Sequence, residues 1–93
     1  GQKNALSTAL QYLSVLSFSR SGLIDQLEYE GFTNEEAVYA VDNCGADWNE
    51  QASKCAKHYL ELMPFSRQEL VDQLLYEGFT QSQAEYGVSQ NGY

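Results

Sequence analysis

The sequence predicts an all-α protein built from two tandem three-helix mini-domains, each with a helix-turn-helix corner. The first observation is an internal repeat: residues 5–46 align without a gap with residues 52–93, and 20 of the 42 aligned positions are identical. Both copies also place apolar residues at three- and four-residue spacing, which is typical of amphipathic helices. Both contain the pentapeptide YEGFT, at residues 29–33 and 76–80. We therefore predict a first repeat at residues 1–46 and a second at residues 47–93.

The first helix of each repeat is predicted from an apolar stripe that is expected to face the core. In the first repeat the stripe consists of Leu6, Ala9, Leu10, Leu13 and Leu16. In the second repeat it consists of Ala52, Ala56, Tyr59, Leu60 and Met63. A Phe-Ser-Arg segment follows each stripe, and its serines, Ser19 and Ser66, are natural N-caps for the next helix. Ser66 and Glu69 also have the spacing of a capping box.

The second helix of each repeat has an apolar inner face and an acidic outer side. The inner residues are Leu23, Ile24 and Leu27 in the first repeat, and Leu70, Val71, Leu74 and Leu75 in the second. Asp25 and Glu28 fall on the outward side.

The repeated YEGFT segment is predicted to end one helix and begin the next. Gly31 suits the left-handed conformation that often follows a helix, and Phe32 is expected to anchor the turn in the core. Thr33 then caps the third helix, with Glu36 completing a capping box. The equivalent residues of the second copy are Gly78, Phe79, Thr80 and Gln83. On this interpretation only the glutamates of the pentapeptides, Glu30 and Glu77, are free to face a partner.

The third helices and the linker follow from the same pattern. The third helices hold Ala37, Tyr39, Ala40 and Val41 in the first repeat, and Ala84, Tyr86, Gly87 and Val88 in the second. Gly45 is predicted to end the first of them, and Asp47 with Glu50 to open the next helix through a capping box. Because this linker is short, we expect Trp48 to pack between the two repeats.

The charge balance argues against nucleic acid as a partner. Thirteen acidic side chains against five basic ones give a formal net charge of -8, which repels nucleic acid and anionic lipid and favours a cationic partner. A DNA-reading helix needs arginine or lysine, and neither predicted third helix contains one. The same acidity is equally consistent with solubility alone.

The inventory of reactive side chains argues against catalysis and against a metal site. His58 is the only histidine, and no glycine-rich phosphate loop is present. We therefore predict no enzyme activity, no cofactor and no metal. Cys44 and Cys55 can form a disulfide or stay unpaired; we favour two free thiols because the positions do not belong to a repeated pairing pattern.

Acidic residues are concentrated in one part of the chain. Between Arg20 and Glu50 the sequence has eight acids and one base, Arg20 itself. This distribution predicts a negative, partner-binding surface on the first repeat. Its candidate residues are Asp25, Glu28, Glu30, Glu35, Glu36 and Asp42.

The spaced pattern of both copies resembles a known family. The pattern is YL…FS…L…QL..EGF…A.YAVDN….DWN.QA, followed by a second FS…L..QL..EGFT..QA.YGV. It resembles the repeats of the host cell surface-exposed lipoproteins, which include superinfection exclusion lipoproteins encoded by prophages of Gram-positive bacteria. The resemblance covers essentially the whole chain. It implies tandem three-helix domains held by a lipid anchor at the extracellular face of the cytoplasmic membrane. The anchor cysteine and its linker are not in this sequence, so neither Cys44 nor Cys55 is the lipidated residue.

The resemblance also implies a function and a partner. Such lipoproteins block DNA injection by a second phage, and the implied target is the tape measure protein of the phage tail. A basic segment of that protein would meet the acidic residues named above, and we expect the protein to act as a monomer. The alternative is a structural or adhesive repeat domain of the bacterial cell envelope.

Overall fold

The computed structural model describes residues 1–93. The chain folds into six α-helices, arranged in two sets of three. The first repeat contains α1 (Gln2–Val15), α2 (Arg20–Tyr29) and α3 (Asn34–Asn43). The second contains α4 (Trp48–Leu62), α5 (Arg67–Tyr76) and α6 (Gln81–Gln90). The predicted all-α fold with two three-helix repeats is therefore confirmed. The molecule is elongated, 42 × 21 × 20 Å along its principal axes. No helix has the length and apolar character needed to cross a bilayer.

Each of the five helices after α1 is capped by the side chain of the residue that precedes it. Ser19 accepts a hydrogen bond from the backbone amide of Gly22 at the start of α2. Full capping boxes open the helices α3, α5 and α6, at Thr33–Glu36, Ser66–Glu69 and Thr80–Gln83. The capping box predicted at Asp47 and Glu50 is wrong. Asp47 does cap α4, but the carboxylate of Glu50 pairs with Lys54, at 3.2 Å, instead of reaching back to the cap.

Each YEGFT segment forms a Schellman turn, because its glycine has a positive φ. Gly31 has a φ of 105° and Gly78 a φ of 102°. In the first copy, the amide of Phe32 donates to the carbonyl of Leu27 at 3.1 Å, which satisfies a carbonyl that the helix end leaves without a partner. In the second copy the amide of Phe79 makes the equivalent bond to Leu74. Phe32 packs against the first core, and Phe79 lies within the second.

Each repeat has its own hydrophobic core. The first is formed by Ala5, Ala9, Leu23, Ile24, Leu27, Ala37, Ala40 and Val41. The second is formed by Ala52, Cys55, Ala56, Leu70, Val71, Leu74, Phe79, Ala84 and Val88. In both cores the first and third helices meet largely through alanines, whose small side chains permit a close approach. A Cβ added to Gly87 of α6 would lie 2.6 Å from the carbonyl carbon of Ala52.

The predicted stripe of the first helices is partly wrong. Leu10, Leu16 and Met63 are 48%, 56% and 55% exposed. The fully buried side of α1 consists of Ala5 and Ala9, while Leu6 and Leu13 only flank the core. The reason is the close helix contact, which leaves room at the centre for alanine and places the larger side chains at its edges.

Candidate partner-binding surface

The two repeats dock head to tail through polar contacts. The α1–α2 corner of the first repeat meets the α5–α6 turn of the second. The hydroxyl of Ser19 donates to the carbonyl of Glu77 at 2.6 Å, and the hydroxyl of Ser21 donates to the carbonyl of Gly78 at 3.2 Å. The backbone amide of Phe18 donates to Oε1 of Gln51 at 2.9 Å. The bonds of Ser19 and Gln51 are partly buried and satisfy polar groups that the contact removes from water, whereas the bond of Ser21 is exposed.

Gly78 lets the repeats approach this closely, and Gly22 leaves space beside the same contact. A Cβ on Gly22 would lie 2.9 Å from Oγ of Ser19 in its own repeat, and 3.4 Å, an ordinary contact distance, from the carbonyl oxygen of Glu77 in the other. A Cβ on Gly78 would lie only 2.2 Å from Oγ of Ser21. The residue of the second repeat that corresponds to Gly22 is Glu69, which completes a capping box. Helical periodicity does not predict this contact, although the change from SRQE in the second repeat to SRSG in the first is a visible signal of it.

Trp48 joins the two repeats in a different way. It is the first residue of α4, yet its half-buried side chain packs against the core of the first repeat. One helix therefore contributes to both cores.

The glutamates of the two YEGFT segments are bonded inside their own repeats, which corrects the prediction that they are free. In the first repeat the hydroxyl of Tyr12 donates to Glu30, and Nε2 of Gln26 donates to the hydroxyl of Tyr12 at 3.2 Å. In the second repeat Tyr59, Glu77 and Gln73 form the same triad, again with 3.2 Å between the glutamine and the tyrosine hydroxyl.

The triads hold their tyrosines in the neutral form. The hydrogen bond to Glu30 is the largest cause that raises the pKa of Tyr12. Burial, followed by the hydrogen bond to Glu77, raises the pKa of Tyr59 to about 12. Glu30 and Glu77 therefore have a structural role in their own repeats.

Two further candidate acids also make internal contacts. Asp42 accepts two hydrogen bonds from Arg20, at 2.9 and 3.0 Å, which lower the pKa of its carboxyl group. Glu36 accepts from the backbone amide of Thr33 in the capping box, and this bond lowers the pKa of Glu36. Both carboxylates still contribute negative charge, but binding a partner directly would compete with these contacts.

The remaining candidate acids are exposed on the first repeat. Asp25 and Glu28 lie on α2, and Glu35 lies in the first turn of α3. Glu28 accepts a hydrogen bond from Asn34 at 3.1 Å. The charge is nevertheless shared between the repeats, since residues 1–46 hold six acids and two bases and residues 47–93 hold seven acids and three bases. The two repeats therefore carry the same net charge, and the candidate surface of the first repeat depends on these three exposed acids.

The thiols are separate and unbridged, as the lack of a repeated pairing pattern indicated. Cys44 is half-buried, and its Sγ donates to the carbonyl of Val41 at 3.1 Å. Cys55 belongs to the second core, and burial raises the pKa of its thiol to about 11. No three His, Cys, Asp or Glu side chains come together in a group that could hold a metal ion.

The fold and this surface define a tandem of docked three-helix repeats that present acidic side chains to the solvent. The sequence model of the family described as host cell surface-exposed lipoprotein matches residues 1–44 and again residues 47–90. The chain therefore belongs to this family, which confirms the resemblance found in the sequence.

A solved structure supports the same assignment. It is that of Ltp, a superinfection exclusion protein from the Streptococcus thermophilus temperate phage TP-J34. The similarity has a TM-score of 0.88 and 36% sequence identity, and covers 95% of this chain and 92% of that chain. Neither the family description nor that of Ltp is of an enzyme. A comparison with curated protein sequences finds no match.

Proposed function

We propose that this protein acts in superinfection exclusion, protecting a bacterial cell from a second phage. The observation that carries this proposal is the similarity to Ltp, which extends over nearly the whole of both chains. It includes both repeats, so the shared feature is the docked tandem and not a single helical corner.

The mechanism that we propose is capture of the incoming phage's tape measure protein at the outer face of the cytoplasmic membrane. The protein would be held there by a lipid anchor outside the present chain. With its tape measure protein bound, the phage could not complete DNA injection. The net charge of -8 supports a basic target segment, because opposite charges speed encounter and favour the correct partner.

We divide the six candidate acids by the role that each would take in this capture. Asp25, Glu28 and Glu35 are exposed and have no part in a cap or an ion pair, so they are the residues that we propose to contact the partner. Glu30, Glu36 and Asp42 are held in a tyrosine triad, a capping box and an ion pair, and would act mainly by adding to the local negative potential.

Display of the protein as a lipoprotein on a sensitive Streptococcus thermophilus strain tests the function. We expect phage adsorption to be unchanged, while plating efficiency and the amount of phage DNA inside the cells fall. A properly displayed protein that leaves DNA entry unchanged would contradict the proposal and favour a structural or adhesive role in the envelope.

A charge-matched pair of variants tests the surface. Asp25→Asn, Glu28→Gln and Glu35→Gln together remove three exposed charges from the first repeat. Glu61→Gln, Asp72→Asn and Glu85→Gln remove three exposed charges from the second. Binding to purified tape measure protein, measured at two salt concentrations, should weaken more for the first triple variant. Equal losses would show that net charge, and not this surface, attracts the partner.

A further inference from the structure

A groove opens at the junction of the two repeats, on the side formed by α2. It has a volume of about 530 Å³, and Phe18, Gly22, Asp25 and Tyr29 line it from the first repeat. Tyr76 and Glu77, at the end of α5, line it from the second. The groove therefore exists only because the repeats dock, and neither repeat forms it alone.

The two tyrosines of this groove have no role in the fold. They are the first residues of the YEGFT segments, and Tyr29 is 86% exposed and Tyr76 85% exposed. Neither hydroxyl makes a hydrogen bond within the protein, in contrast to those of Tyr12 and Tyr59. Within the pentapeptide the glutamate, glycine, phenylalanine and threonine all have structural roles, which leaves the tyrosine. Exposed tyrosines are typical of surfaces that bind other proteins.

The negative charge of the groove favours a cationic ligand. Asp25 is exposed and has no ionic partner, since the ion pairs of the molecule use Glu36, Asp42 and Glu50. The carboxylate of Glu77, which is hydrogen-bonded to Tyr59, adds to the negative potential, and no lysine or arginine lines the groove. A groove with two tyrosine rings and unpaired negative charge is complementary to a cation with a flat face. Arginine has such a face: its guanidinium group stacks on aromatic rings and pairs with carboxylates through a planar set of donors.

We propose that this groove binds an arginine side chain of the partner polypeptide. In this arrangement the guanidinium group lies against the rings of Tyr29 and Tyr76, and the carboxylate of Asp25 is its counter-charge. The proposal rests on the proposed function for the identity of the partner, namely a basic segment of a phage tape measure protein. It adds the place where that segment is recognised and the residue type that is recognised there.

The first test uses a defined probe, an eight-residue peptide of alternating arginine and glycine, and the same peptide with citrulline in place of arginine. Calorimetric titration at low salt should show binding of the arginine peptide and none of the citrulline peptide. The double variant Tyr29→Ala/Tyr76→Ala should lose about tenfold in affinity, the size expected for two cation–π contacts. Tyr29→Phe/Tyr76→Phe keeps the rings and should bind as the wild type does.

The matched controls are exposed residues outside the groove. Tyr39→Ala/Tyr86→Ala removes two other exposed tyrosines, and Asp72→Asn removes the acid that corresponds to Asp25 in the second repeat. Both controls should bind the arginine peptide within about twofold of the wild type, whereas Asp25→Asn should weaken binding severalfold. Wild-type affinity of the Tyr29→Ala/Tyr76→Ala variant, or equal losses in groove and control variants, would overturn the proposal. Circular dichroism of each variant excludes unfolding as the cause.

The phage assay separates this proposal from the proposed function. If the wild type protects cells and Tyr29→Ala/Tyr76→Ala protects them equally, the groove proposal is wrong and the function stands. If the wild type does not protect cells but binds the arginine peptide through these tyrosines, the groove proposal stands and the function is wrong. Loss of protection with the groove variant alone supports both.

Discussion

The two repeats share their three helices and their turns, but they differ at the start of the second helix. In the second repeat, SRQE forms a complete capping box from Ser66 to Glu69. In the first repeat, SRSG keeps the serine cap but places Gly22 where the glutamate would be, and the turn at Glu77 occupies the free space. In this duplicated chain, the shared residues thus include what each copy needs to fold, and a local difference marks the surface where the copies meet.

The repeats also secure their third helices by different means. In the first, the ion pair between Arg20 and Asp42 joins α2 to α3. In the second, Nδ2 of Asn91 donates to the carbonyl of Ser53 at 3.0 Å and so joins the end of α6 to α4. Exposed ion pairs contribute little stability and are weakened by salt, so we expect salt to affect the first repeat more.

The largest expected difference between the copies is at the two YEGFT glycines. In Gly31→Ala, the positive φ alone should cost about 1–2 kcal/mol of unfolding free energy, because nothing lies within 4 Å of the added Cβ. In Gly78→Ala, the same strain is joined by clashes across the junction with Oγ of Ser21 and with Oγ of the buried Ser19, at 2.2 and 2.7 Å, which should add about 1–3 kcal/mol. Urea denaturation of both variants measures the difference. Equal losses of unfolding free energy would mean that the junction accommodates the Cβ added at position 78 without a cost in stability.

Gln51 and its counterpart Asn4 offer the next comparison. Gln51→Ala leaves the backbone amide of Phe18 without its acceptor, at a cost of about 1–3 kcal/mol. Asn4→Ala changes an exposed side chain and should stay within about 0.5 kcal/mol of the wild type. Thermal and urea unfolding of the two variants, in parallel, checks this. A loss of stability for Asn4→Ala as large as that for Gln51→Ala would contradict the stabilising role of the hydrogen bond between Gln51 and Phe18.

Replacing a triad tyrosine by phenylalanine should have a smaller effect on the free energy of unfolding, and this effect should depend on pH. At neutral pH, Tyr59→Phe should cost about 0.5–1.5 kcal/mol through the lost hydrogen bond. The folded pKa of Tyr59 is raised from 10.0 to about 12, so the stabilisation by its neutral form is full below pH 10 and lost as the pH rises through about 12.

The difference in stability between the wild type and Tyr59→Phe should therefore shrink from pH 10 to pH 12, as followed by urea unfolding at several pH values. Tyr12→Phe is the matched variant of the first repeat, because the pKa of Tyr12 is also raised. A difference that grows with pH would contradict the assignment of the neutral tyrosine as the donor.

The smallest effect concerns the thiols and should leave stability unchanged. At pH 8 the Cys55 thiol, 7% exposed and with a pKa of about 11, is protonated and shielded. A thiol-specific reagent should modify Cys44 first in the native protein and both thiols in denaturant. The variant Cys44→Ser identifies which thiol reacts. Rapid native reaction in that variant would show that the second core opens readily.

The sequence was sufficient to predict the features that depend on neighbouring residues. The cap at Ser66 with Glu69 and the turn at Gly31 are determined within a few positions, so their local chemistry is visible in the chain. The buried side of α1 was predicted less well, because alanines such as Ala5 carry a weaker apolar signal than the exposed Leu10.

The candidate surface was harder to predict because its acids have distant partners. Arg20 and Asp42 are 22 positions apart, and Tyr12 and Glu30 are 18 apart, so only the packed helices show that these groups meet. The groove between Tyr29 and Tyr76 depends on the docking of the repeats and has no signature in helical periodicity.

Trp48 provides an optical probe of the junction. It is the only tryptophan in the chain, and it begins a helix of the second repeat while its ring rests on the core of the first. Its fluorescence therefore reports on separation of the repeats as well as on unfolding of the first core. A red-shifted emission while the helical circular dichroism signal is unchanged would reveal a state with intact but parted repeats. Coincident changes would show that the tandem unfolds as one cooperative unit.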